Sequence, residues 1–408
     1  MALALALKAR GHRVSFVGPE QHGPYVRPAG LDFTGLPADE AVLRDPDLWH
    51  PTRGFGVVWR ATRPAMDRIA PFVAALPHDG PCVLLVHPLA LPEADLCRAA
   101  RPDIRIAAAY LAPQNLPTAY GPFMAGPYTL PDWVPPAARR WLWRVAGRTV
   151  IDPVALPDVN AARVAAGLAP FPTLVPDMLA VPDLSVTLFP AWFAPTQPDW
   201  PQPLVRAGFP LYDPNPDAPL APELERFLAD GTAPLVFTHG TGNAQAAAFF
   251  RHARTAVASL AASTGQPVRA VFLTAHRAQL GDALPPAILW QDYVPLRRLL
   301  RHAALLVHHG GIGTTAEALH AGIPQLVVPL AHDQFDNGAR VAALGVGARL
   351  PAARLGDPRR AVRLTRALAG LLGDEATARR CAAVRQRFGG DPTPADLCVR
   401  LEALAGGG

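Results

Sequence analysis

Short apolar runs alternate with glycine-rich polar turns in the second half of this chain, a pattern that fits strands and turns of a buried α/β sheet. Leu305-Leu306-Val307 suits a parallel strand, and His308-His309-Gly310-Gly311-Ile312-Gly313 follows as a turn where glycines permit positive φ and close backbone approach. Thr314 and Thr315 then open a helix, which Gly322 and Pro324 end. A second strand runs from Gln325 to Pro329 and out into Ala331-His332-Asp333-Gln334-Phe335-Asp336-Asn337. Ligands of an open α/β sheet sit beyond the carboxyl ends of its strands, so both polar segments face one crevice.

The first half repeats the pattern less regularly. Arg13 to Gly18, Cys82 to Val86 and Ile104 to Tyr110 are strand candidates with helical stretches between them. Leu111 to Pro136 is rich in proline and aromatics and reads as loops over a cleft, with Trp133, Trp141 and Trp143 nearby to line an apolar pocket or to pack a helix. Leu188 to Pro216 is dense in proline and reads as the interdomain connection.

The polar residues of the crevice suit a nucleotide sugar. Free amides at a helix N-terminus and its positive dipole end attract a phosphate, to which His309 and Thr314 can also donate. Glu317, one helical turn further, can accept from a ribose hydroxyl pair, and Asp333 and Gln334 can hold the hydroxyls of a transferred sugar. Each residue alone has an ordinary structural reading; their combination at this spacing carries the argument.

Composition narrows the class. With 408 residues, half of them apolar, the chain is large enough for two domains, and no uninterrupted apolar run is long enough to span a membrane. Cys82, Cys97, Cys381 and Cys398 are dispersed without a CxxC pair, which suggests reduced cytosolic thiols and no metal cluster. The net charge of +5 is scattered, Lys8 is the only lysine, and no basic stripe with interleaved aromatics marks a nucleic-acid binder. That charge is compatible with anionic donors or with peripheral contact to an anionic membrane surface.

Through these motifs the chain resembles the inverting nucleotide-sugar glycosyltransferases of the GT-B fold. The resemblance implies two Rossmann-like doubly wound domains facing a cleft: an acceptor domain with linker over 1–214, a donor domain over 215–390, and a crossover helix over 391–408. It places diphosphate binding at His309, Gly310, Gly311, Gly313 and Thr314, ribose binding at Glu317 and sugar binding at Asp333 and Gln334. Gly240 and Thr241 take the phosphate-contacting loop after the strand beginning at Pro234. The base-stacking region falls on Trp290, Tyr293 and Val294, with the choice between Trp290 and Tyr293 open, and His239 is read as a loop residue. The donor, dTDP- or UDP-linked, is a co-substrate; no cofactor and no metal are implied.

Within that family, Asp45 to Trp49, Phe55 to Trp59, Leu188 to Pro195 and Asp199 to Pro203 look like the rhamnosyltransferases of rhamnolipid synthesis. This implies rhamnosyl transfer from dTDP-rhamnose, with inversion, to a lipid or other hydrophobic hydroxyl, in the cytoplasm or peripherally at the inner membrane. Relatives that glucosylate sterols or macrolides from UDP-glucose share the donor signature. The family begins with a strand and a glycine-rich loop that carries the catalytic His or Asp. Met1 here corresponds to the helix after that loop, so the expected start lies upstream, and a strand missing there would leave its sheet neighbours with unpaired backbone groups. His87, after a candidate strand, is the remaining base candidate within the chain. A donor-binding accessory chain and a nucleotide-sugar 2-epimerase are the other readings. A Rossmann dehydrogenase is disfavoured because no GxGxxG follows an early strand.

Overall fold

A computed structural model describes residues 1–408 except 51, 123, 126–127, 214, 216–217, 241–242, 244, 282, 351–358 and 408. The chain divides into two compact units. The first comprises residues 1–123, 129–212 and 391–408, and the second residues 124–128 and 213–390.

The first unit opens with α1 (Ala2–Ala9), β1 (Ser15–Pro19) and β2 (Asp32–Leu36). It continues with β3 (Cys82–Val86), α2 (Leu91–Ala100) and β4 (Ile104–Tyr110). After α3 (Pro136–Ala146), one π-helical turn at Gly147–Ile151 leads into α4 (Asp152–Ala165). Then come α5 (Leu174–Leu179), β5 (Leu184–Thr187) and β6 (Leu204–Arg206). The strands form two parallel sheets, β1-β2 and β3-β4-β5-β6. Interior β4 is almost wholly buried, whereas edge strand β3 leaves Leu85 exposed.

One expectation for this unit needs correction. The first strand begins at Ser15 rather than Arg13, whose guanidinium is turned outward to Asp79. The proline-dense stretch after Leu188 packs within the first unit as far as Tyr212, and the chain passes to the second unit at Asp213: Phe189 and Trp200 lie edge to face at 6.0 Å, and Trp192 Nε1 donates to Asp391 at 3.0 Å. Between Leu111 and Pro136 the loops hold one 3₁₀ turn, Pro113–Asn115, and the two-residue strands Met124–Ala125 and Tyr128–Thr129.

The second unit alternates β7 (Leu235–Thr238), α6 (Ala247–Thr264), β8 (Ala270–Leu273), β9 (Ile288–Gln291), β10 (Leu305–His308) and α7 (Ile312–Ala321). It ends with β11 (Gln325–Val327), α8 (Gln334–Ala343), β12 (Gly347–Arg349) and α9 (Arg360–Leu372). Its six parallel strands lie in the order β9-β8-β7-β10-β11-β12. Every residue of β7, β8, β10 and β11 is buried, as expected where helices cover both faces of a parallel sheet. Phe237, Phe250 and Phe272 interlock in the core at ring separations of 5.3 and 5.4 Å.

The chain then returns to the first unit as α10 (Pro394–Ala405), capped by a reciprocal Thr393–Asp396 box. Leu397 and Leu401 pack beneath β5 with Leu3 and Leu7 of α1, and Arg10 forms a two-pronged ion pair with Glu402. Among the described residues no helix is long and apolar enough to cross a membrane.

Candidate functional site

Three turns of the second unit converge on His309. Parallel β7, β10 and β11 end on the same side of the sheet, so the turn after each strand meets the others. Gly240, after β7 at φ 88°, lies so near that a Cβ there would stand 3.2 Å from His309 Cε1. Gly310, at φ 96°, is hemmed in from the β11 side, where a Cβ would meet Val327 Cγ1 at 2.6 Å and the Gln334 carbonyl at 2.9 Å. Only glycine adopts this backbone at such close quarters.

The helix after this turn starts earlier than its threonines suggest. Gly311 is extended at φ −59°, ψ 141° and stands at the N-cap, so α7 begins at Ile312 and Thr314 is its third residue. No side chain caps the first turn, and its amides are left for an outside acceptor. Gly313 faces open space.

Each histidine here has a different task. His308 is fully buried: its Nε2 pairs with Gln325 Oε1 at 2.9 Å, while Nδ1 accepts from the Gly310 amide at 3.1 Å, so the ring is neutral and structural. His239, read as a loop residue, lies in the turn after β7 and is buried there, its ring tilted 38° against Phe249 at 4.4 Å and joined through Nδ1 to Asn243 at 2.7 Å. Burial holds both near a pKa of about 3. His309 Nδ1 is buried without a hydrogen-bond partner, and burial alone lowers this ring to about 4. His309 is therefore a neutral imidazole with hydrogen-bonding capacity unspent, suited to donate to an incoming oxyanion.

Two carboxylates stand on the elements that follow these turns, Glu317 on α7 and Asp333 at the start of α8. Glu317 is 15% exposed and ion-paired with Arg297 at 3.2 Å; burial raises its pKa while Arg297 opposes the rise. Asp333 accepts from Asn337 Nδ2 at 2.8 Å and is pushed by burial to about 6. The preceding His332 is the one described non-glycine residue with positive φ, 55°, a strained backbone directly beside the carboxylate. Gln334, expected to hold sugar hydroxyls beside Asp333, keeps its donor but not its acceptor for that task. Its Oε1 is spent on the amides of Leu330 and Ala331 at 2.7 and 3.1 Å, so only its NH₂ faces other partners.

At the end of β9 the two aromatics separate. Trp290 packs against the core and donates Nε1 to the Thr274 carbonyl at 2.9 Å, whereas Tyr293 is 55% exposed. Of the two, Tyr293 is the ring with a face open to solvent. The Val294 side chain lies in the core beside Leu273 and Leu299 and does not line a site. Thr241 lies outside the described residues. In the first unit, His87 follows β3 and accepts the Leu89 amide on Nδ1 at 3.3 Å. That contact occupies the basic nitrogen and leaves the proton on Nε2, so base action through Nδ1 requires His87 to release the Leu89 amide. Trp133 and Trp141 are 81% and 57% exposed, and Trp143 lines a cavity of the first unit.

Sequence reading missed Asn337 and Arg297. Asn337 follows Asp333 by one helical turn, a readable signal once α8 is placed. Arg297 lies 20 residues before Glu317 and carries none.

Residues 255–404 match the model for the erythromycin biosynthesis protein CIII-like C-terminal domain. The O-mycaminosyltylonolide 6-deoxyallosyltransferase of Streptomyces fradiae is 29% identical over 99% of this chain and 94% of its own length. Spinosyn rhamnosyltransferase SpnG, solved with thymidine diphosphate, has a TM-score of 0.63 at 25% identity over 98% of this chain and 95% of that one. The chain is a GT-B glycosyltransferase. This glycosyltransferase also shares its fold with the kitacinnamycin glycotransferase, with a TM-score of 0.74 at 20% identity over 99% and 95% of the two chains.

Proposed function

We propose that this glycosyltransferase moves a deoxyhexosyl group, rhamnosyl foremost, from a thymidine diphosphate donor to a hydroxyl of a hydrophobic acceptor, with inversion at the anomeric carbon. The observation that carries the reading is the convergence of three turns on a neutral, partly unsatisfied His309 at the uncapped start of α7. A diphosphate there receives the helix amides and the His309 N–H, which stabilise it as the leaving group. Asp333 and the Gln334 NH₂ hold the sugar, Glu317 the pentose, and Tyr293 stacks on the base. Fixed donors of this kind take up the developing charge, so transfer needs no added metal ion and persists in EDTA.

The rhamnosyl and thymidine assignments lean on the ligands of SpnG, solved both with thymidine diphosphate and with spinosyn aglycone. Polyketide alcohols are accordingly the first acceptors to try, and a 3-(3-hydroxyalkanoyloxy)alkanoate is the lipid comparison suggested by the segments around Trp49, Trp59 and Trp192. Product formation from dTDP-rhamnose, set beside UDP-glucose, tests the reading. Transfer from the thymidine donor to either acceptor supports it, and hydrolysis or silence with every pair defeats it.

A further inference from the structure

The first unit holds a cavity of about 630 Å³, within the range of small-molecule sites. Its walls come from α3, the π-helical turn, the start of α4, α5 and the loops around Thr118 and Pro201. Trp143, Ile151, Val175 and Leu179 make much of it apolar. Trp143 Nε1 donates to the Thr118 carbonyl at 3.0 Å, so the polar end of the indole is already engaged.

Three arginines give this apolar chamber a charged rim. Arg140, Arg144 and Arg148 recur every fourth residue, line the same cavity and are exposed. Among the described residues none of them has a carboxylate within ion-pair distance; Arg140 reaches only the Tyr120 hydroxyl at 3.3 Å. Elsewhere in this unit Arg10, Arg63 and Arg163 each hold a carboxylate. Like charges at this spacing repel one another along a helix. Two acids share the wall, but both are committed: Asp152 accepts the Leu174 amide at 2.9 Å, and Asp199 accepts the Thr118 hydroxyl at 2.6 Å and the Ala119 amide at 2.8 Å. The π turn that carries Arg148 and Ile151 onto the wall is a rare element that often marks ligand sites.

We propose that this cavity binds an amphipathic carboxylate, its apolar body against Trp143 and Leu179 and its anionic end among Arg140, Arg144 and Arg148. Guanidinium forks suit a carboxylate, and an apolar body displaces water from the chamber. If the bound molecule also carries the accepting hydroxyl, it belongs to the substrate class of the proposed transfer; that role rests on the transfer reading, whereas the binding does not.

The test uses the whole chain without any nucleotide sugar. Dodecanoate and dodecanol, equal in chain length and differing in charge, are titrated below the concentration at which they aggregate. Dodecanoate is expected to bind about tenfold or more tightly than the alcohol, as a charge-assisted contact implies. The R144Q/R148Q variant, altered at two exposed positions, should erase that preference while the alcohol binds as before, and L179W should exclude both ligands. Equal binding of acid and alcohol, an unchanged preference in R144Q/R148Q, or no binding of either overturns the proposal. Circular dichroism confirms that each variant is folded.

Discussion

Asn337 donates a hydrogen bond to the carbonyl of Gly310 at 2.9 Å, tying α8 to the turn after β10. The same amide group reaches Asp333 at 2.8 Å, so one side chain fixes the turn after β10 and the Asp333 carboxylate together. Asn337→Ala should therefore weaken donor and bare diphosphate alike, and cost about 1–3 kcal/mol of stability by leaving buried groups unpaired. Calorimetric titration and thermal unfolding of the variant check both effects; a variant with wild-type nucleotide affinity would show that the tie is not needed.

Two glycines of the turn predict opposite outcomes. Gly310→Ala forces a side chain into positive φ and against Val327 and Gln334, so it should lose at least about 2 kcal/mol of stability. Gly313→Ala meets nothing within 4 Å, and alanine favours a helix, so the fold should hold or gain up to about 1 kcal/mol. Its new methyl nevertheless sits at the start of α7, and diphosphate affinity should fall. Melting curves with and without thymidine diphosphate separate the two cases.

Glu317 and its partner Arg297 report on the pentose. A carboxylate that accepts from a hydroxyl pair has two contacts with the ribose of UDP and one with the deoxyribose of thymidine diphosphate. Glu317→Ala should thus cost UDP more affinity than thymidine diphosphate. In Arg297→Ala the remaining burial raises the Glu317 pKa further, so nucleotide affinity should drop as the pH is lowered from about 8 to about 6 by more than in the wild type. Identical losses for both nucleotides would move Glu317 off the sugar.

The buried histidines make stability pH-dependent with a definite sign. His239 and His308 titrate near 3 and His309 near 4 in the fold, against 6.5 when unfolded. Between about pH 4 and 6.5 the unfolded chain therefore binds protons that the folded chain refuses, and stability rises with pH. Asp333, raised from 3.8 to about 6, works the other way between those values. Three histidines outweigh one aspartate, and each net proton is worth about 1.4 kcal/mol per pH unit. Denaturant midpoints should fall from about pH 7 to about pH 5; a flat profile would mean that the three rings are not buried neutral.

Much of the second unit was legible because its strands are short apolar runs, and two of them, β7 and β10, run into turns that need glycine, at Gly240 and Gly310. The parallel sheet and the nearness of His309, Asp333 and Gln334 follow from Leu305 to Asn337 alone. Less legible were features set by distant contacts: the Arg297 pairing of Glu317, the His239 packing on Phe249, and the loss of Gln334's acceptor to two loop amides. The helix start is hard to place because threonines are good N-caps, while Gly311 takes that position through its backbone. In the first unit, tryptophans at 133, 141 and 143 look alike in sequence, and only the path of α3 selects Trp143 for the cavity.

Binding of thymidine diphosphate by isothermal titration, to the wild type and to His309→Ala, tests the central claim most directly. The account predicts one site in the wild type and a loss of about ten- to hundredfold in the variant, since an N–H donated to an oxyanion is removed while the near-ultraviolet circular dichroism stays native. A wild type that binds neither thymidine diphosphate nor UDP, or a folded His309→Ala that binds as tightly as the wild type, would contradict it.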